Sequence, residues 1–223
     1  MSASARLISL NVGLPASLVY RGKHVQSGFR KSSISEALWL GETGLEGDAQ
    51  ADLKNHGGPE KAVCVYPLEH YPYWSSRLGR ELSPGAFGEN FSVEALLEPE
   101  VCVGDVYRVG GAVVQVSQPR QPCFKMAARH GVKELALWVQ ATGLTGFYFR
   151  CMEPGEVRAG EAVVRLERSA PGVSLAEANR VMHRDKHDLG GIERLLAVPE
   201  LSVSWRRTFE KRLSGVVEGL KQG

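Results

Sequence analysis

From the start of the chain to about residue 168, short β-branched runs alternate with turn signals: RLISLNV, KAVCVY, VCVGDVYRV, AVVQVS, GFYFRCM and EAVVRLE. Runs of this length and spacing predict a mainly β domain over residues 1–168, a sandwich or a barrel. Helical patterns interrupt it in two places. PLEHYPYWSSRLG opens on Pro67, a residue suited to a first helical turn, and Pro72 is expected to shorten or kink the helix. FKMAARHG and VKELALWVQATG repeat apolar residues every three or four positions and end on glycine. After Ala170–Pro171–Gly172 the period becomes helical. SLAEANRVMHR, GGIERLLAV and VSWRRTFEKRL predict a small three-helix segment over residues 172–215, opened by Ser174 with Glu177 as a capping box.

Composition adds little. With 43% hydrophobic and 23% charged residues, the 223-residue chain has the make-up of an ordinary globular protein able to bury a core. A net charge of +2 points to no partner, so any anion must be attracted by a local cluster. The opening MSASARLISLNVGLPAS is a poor secretory segment and no later run reaches membrane-spanning length, so a cytoplasmic protein without a membrane partner is expected. Arg206, Arg207, Lys211 and Arg212 read as the solvated face of a helix packed through Trp205, Phe209 and Leu213, with no nucleic acid implied. Common nucleotide, hydrolase and zinc-protease motifs are absent.

Candidate chemistry begins at QPRQPCFK, residues 118–125. Two prolines stiffen the backbone around Cys123, and Arg120 and Lys125 set positive charge beside its sulfur. The loop lies where a strand hands over to a helix, whose N-terminal dipole also favours a thiolate. Cys64, Cys102 and Cys151 sit inside apolar runs and read as small buried hydrophobes. In GLEGDAQADLKNHGGPEKAV, residues 44–63, Lys54, His56 and Lys61 accompany glycine turns; the stretch is an anion-binding loop or a plain surface connection capped by Asp48. YRGKHVQSGFRKSS, residues 20–33, is an anion cradle or a polar hairpin with basic tips. GAFGENFSVEAL brings backbone close to a ligand or simply turns into a strand.

Taken in order, GLEGDAQAD, HGGPEKAV with YPLEHY, GAFGENFSVEAL, GDVYRVGGAVVQVSQPRQPCFK and the closing three-helix segment resemble the MOSC domain family, in its YiiM-like hydroxylaminopurine-resistance branch. The resemblance spans nearly the whole chain. It implies a MOSC-type β-barrel with peripheral helices, the molybdenum cofactor, and Cys123 as the protein's ligand to molybdenum. It further implies reduction of small N-hydroxylated substrates such as 6-N-hydroxylaminopurine. Cofactor contacts are expected from Lys23, Ser27, Lys54, Asn55, His56, Ser117 and Arg120, and proton handling from Asp48, His56 or Glu89. No cluster-binding cysteine pattern or flavin motif is present, so a separate redox protein must deliver electrons. A homodimer is compatible with this reading. Two alternatives stay open: a non-catalytic carrier of cofactor or sulfur using a Cys123 persulfide, and a metal-free thiol enzyme pairing Cys123 with His56 or His130.

Overall fold

The computed structural model describes residues 4–52 and 57–221, with side chains through residue 215. Its strands are β1 (Arg6–Val12), β2 (Ala16–Tyr20), β3 (Lys23–Ser27), β4 (Ser32–Ile34), β5 (Leu38–Gly41), β6 (Gly44–Leu45), β7 (Val63–Pro67), β8 (Phe91–Glu94), β9 (Val106–Val109), β10 (Ala112–Pro119), β11 (Phe147–Glu153), β12 (Gly155–Val157) and β13 (Val163–Glu167). The α-helices are α1 (Tyr71–Leu78), α2 (Phe124–His130), α3 (Leu135–Thr142), α4 (Leu175–Asn179), α5 (Leu189–Leu196) and α6 (Val203–Lys221).

Eight strands form one sheet in the order β13, β9, β10, β11, β7, β8, β1, β4. Neighbours run antiparallel except β7 and β8, which are parallel because their connection carries α1. The sheet curls into a barrel. Val163 N donates to Ala5 O at 2.8 Å and Leu7 N to Glu161 O at 2.9 Å, bringing the β13 end round to β1. β2 and β3 form a separate hairpin, and β12, β5 and β6 a small second sheet.

Alternation along the strands sends side chains to two different apolar clusters. Inside the barrel, Val63, Val65, Phe147 and Phe149 pack with Leu7, Phe91, Val114 and Val116. Outside it, Tyr66 packs with Leu18 of the hairpin, Trp74 of α1, Met126 of α2, and Leu135 and Val139 of α3. The closing helices join the first cluster: Ile192, Leu195, Trp205 and Phe209 are all at most 1% exposed and continuous with the barrel interior. Trp205 and Phe209 therefore pack structurally and offer no docking face.

Three local expectations change. Pro72 does not kink α1; it occupies the first turn, where the missing N–H has no partner to lose. Of VCVGDVYRV only Val106–Val109 is strand, because Asp105 accepts a hydrogen bond from Cys102 N at 3.0 Å and folds the preceding residues into a turn. The Ser174 cap forms, with Glu177 N donating to its hydroxyl at 3.1 Å, but the Glu177 carboxylate pairs with Arg194 instead of completing the box. α4 then widens into a π-turn over Arg180–Arg184.

Candidate functional site

The strand alternation that fills the barrel leaves two residues facing out. Cys64 lies between the core residues Val63 and Val65, and Tyr148 between Phe147 and Phe149; the two are cross-strand partners in β7 and β11. Both are buried, yet neither belongs to either apolar cluster. They line a pocket with Ser27, Gly28, Phe29, Lys31, Gln50, Ala51, Gly88, Asn90, Arg120 and Lys125. The space it encloses is about 440 Å³ when the open mouth is counted.

Arg120 is the central cation. It follows β10 directly, and its backbone N–H is fixed to Gly146 O at 2.9 Å. The side chain is buried, passes over the Phe29 ring at 5.5 Å, and has an Nη1 without a hydrogen-bond partner among the described residues. A buried guanidinium donor left unsatisfied costs about 1–3 kcal/mol, which an anionic ligand would recover. Burial pushes the Cys64 thiol up, with Arg120 and Lys31 opposing the shift; burial likewise raises the Tyr148 phenol. Both stay protonated at neutral pH.

Cys123 stands at the head of α2 in extended backbone, half-buried, with its carbonyl accepting from Met126 N at 3.1 Å. It does not line the pocket itself. The two pocket cations on either side of it in sequence, Arg120 and Lys125, do. It lies near enough to Arg120 and Tyr148 to bear on their ionisation.

A polar scaffold holds the opposite wall. Lys31 forms a buried ion pair with Asp48, which also accepts from Gly13 N at 2.8 Å and Asn90 Nδ2 at 2.9 Å. Asn90 in turn accepts from Cys64 N at 3.1 Å. Glu89, fully buried, accepts from Gly85 N, Phe87 N, Ser92 Oγ and the Tyr71 hydroxyl. Gly88 has φ +73°, and a Cβ there would meet the Phe29 ring at 2.9 Å, so the GAFGEN loop needs glycine at this point.

Of the residues singled out from sequence, the pocket gathers Ser27, Lys31, Arg120 and Lys125, with Cys123 beside it. Ser27 accepts from Phe29 N at 3.2 Å. Lys23 is exposed at the far end of β3, away from the pocket. Ser117 is fully buried and donates to Glu60 O at 2.6 Å, so its hydroxyl is spent on backbone. Asp48 and Glu89 are engaged in holding loops, which leaves them poorly placed to move protons. His130 donates from Nε2 to Ala86 O at 2.8 Å and accepts from Arg80 at Nδ1, so it is not available as a base for Cys123. Lys54, Asn55 and His56 lie outside the described residues. Cys64, Tyr148, Gln50 and Asn90 went unrecognised. The one available signal was polar or thiol residues at alternate positions in V-C-V-Y and F-Y-F.

A family model for the MOSC domain matches residues 52–164, and one for the YiiM-like 3-alpha helix domain matches residues 173–215. YflK of Bacillus subtilis (strain 168) is 52% identical over 206 residues, covering 92% of this chain and 93% of that protein. A protein named reductase from Gibberella moniliformis (strain M3125 / FGSC 7600) is 33% identical over 165 residues, covering 72% of this chain but 29% of its own length. The crystal structure of YiiM from Geobacillus stearothermophilus superposes with a TM-score of 0.82 at 37% identity, covering 94% of this chain and 99% of that one.

Proposed function

Because the chain belongs to the MOSC family and carries the YiiM-like three-helix segment, we propose that it is a cytoplasmic, molybdenum-cofactor-dependent reductase of N-hydroxylated compounds. The observation that carries the reading is the buried Nη1 of Arg120, unpartnered among the described residues, in a pocket it shares with Lys31 and Lys125, beside Cys123. This donor set suits an anionic, sulfur-rich group: cations offset the charge, and a thiolate is a soft ligand.

In this reading Cys123 ligates the metal, Arg120 and Lys125 neutralise the cofactor's anionic groups, and Lys31, fixed by Asp48, keeps a positive wall opposite. When bound, the cofactor supplies the two-electron redox centre and the position at which substrate oxygen is taken. The net reaction is R–NHOH plus two electrons and two protons giving R–NH₂ and water. The stiff Pro119–Pro122 segment fixes the direction of the Cys123 sulfur, and the Glu89 and Asp48 bonds keep the two walls from relaxing.

The test is metal content and dye-driven reduction of 6-N-hydroxylaminopurine, using protein from a host that makes the cofactor. Wild type is expected to carry molybdenum and turn over. Cys123→Ser should lose more than the roughly 10–100-fold that removal of a supporting residue costs at metal sites. Wild type without metal or activity, where a known molybdoenzyme loads, overturns the reading. Metal with no turnover favours a carrier.

A further inference from the structure

Charge is segregated along this chain more sharply than its net +2 suggests. Residues 13–35 contain Arg21, Lys23, Arg30 and Lys31, and residues 118–133 contain Arg120, Lys125, Arg129 and Lys133; neither stretch has an Asp or Glu, although the chain holds 25. The fold lays the two stretches together. The hairpin β2–β3 packs on α2, with the Tyr20 and Phe124 rings 5.0 Å apart and Arg21 over Tyr20 at 5.4 Å. At the other end of α2, Arg129 lies near enough to Arg30 and Arg80 that, after burial, their repulsion lowers its pKa. Arg80 is held in place by His130, with Arg80 Nη2 2.6 Å from Nδ1. The acids bordering this face are Glu81, in the cavity with Arg80 and Arg129, and Glu134 after Lys133.

The middle of the face is not polar. Phe124, next to Cys123, is 40% exposed where the hairpin meets α2, while Val19, 57% exposed, alternates with Leu18 and Tyr20 and faces the outer side of the hairpin. An exposed apolar centre inside a ring of one charge is the anatomy of a transient protein–protein site, where opposite charge steers encounter and a small apolar contact seats it. Bases of a nucleic acid would need aromatic faces to stack on, and Tyr20 and Phe124 turn theirs toward each other.

We propose that the face formed by the β2–β3 hairpin and α2 is the docking surface for an acidic electron-carrier protein. Its apolar contact is Phe124 with Tyr20 against it, and its steering charges are Arg21, Lys23, Arg30, Arg129 and Lys133. The inference rests on the reductase reading only in that electrons come from outside; the binding itself does not. A carrier seated on Phe124 stands beside Cys123, the proposed metal ligand.

The experiment measures binding of two acidic carriers, a flavodoxin and a plant-type [2Fe–2S] ferredoxin, to the full-length protein. Raising salt from about 20 to about 300 mM shortens the screening length and should weaken binding of at least one carrier roughly tenfold or more. Arg21→Glu with Arg129→Glu and Lys133→Glu should cut the association rate roughly tenfold, with Arg21→Glu alone giving a smaller loss in the same direction. Dye-driven turnover and the thermal midpoint should stay at wild-type values. Binding of neither carrier, binding indifferent to the reversals, or tighter binding of a DNA duplex than of either carrier at about 150 mM salt overturns the proposal. Salt-sensitive carrier binding without dye-driven turnover supports the docking face and counts against the reductase reading alone.

Discussion

Asp48 illustrates how much a residue's role depends on what surrounds it. The family resemblance implied acid–base work for it, yet its carboxylate is almost fully enclosed and bonds to Lys31, Asn90 and Gly13. Asp48→Ala removes one member of a buried pair and leaves the other charged, so it should destabilise the fold by about 3–5 kcal/mol in denaturant unfolding. A loss under about 1 kcal/mol would show that the pair contributes no such hold. Cys123 and Arg120 were legible from sequence because prolines and neighbouring cations announce them within a few residues. Cys64 and Tyr148 were not. Each looks like core when its flanking valines or phenylalanines are read with it, and only the barrel's curvature shows that these two positions face outward.

Among the elements, the π-turn after α4 carries a group that ties stability to pH. His183 is half-buried, its Nε2 has no partner among the described residues, and burial, aided by Arg212 and Lys186, lowers its pKa from 6.5 to about 4. As pH falls, the unfolded chain takes up the proton first, so the contribution is complete above 6.5 and is lost as pH drops toward 4. Discounted for partial exposure, the loss should be about 1–2 kcal/mol between those limits, and His183→Gln should flatten that part of the stability profile. Equal pH slopes in the two proteins would refute it. The helix starts themselves were readable: the Ser174 cap follows from a hydroxyl that can accept from the backbone three residues on. Whether Glu177 completes the box was decided by Arg194, which belongs to another helix.

Over the whole molecule, the composition shift near Pro171 marks a change of texture, but apolar packing runs across it. Phe209, fully buried, shares one cluster with strands of the barrel. Phe209→Ala should cost about 3–5 kcal/mol, and loss of barrel and helical signals should coincide in one unfolding transition. Separate midpoints for the two would mean that the shared cluster does not couple them. Six of the strands, the helical segments with the Ser174 cap, and a thiol held between prolines were set by the sequence itself, because each depends on residues close along the chain. Which face of β7 and β11 meets the barrel interior, which carboxylates are consumed as struts, and that two acid-free stretches form one face were decided only by the tertiary structure. Alternation says that a strand has two sides, but what covers each side comes from residues far away in the chain.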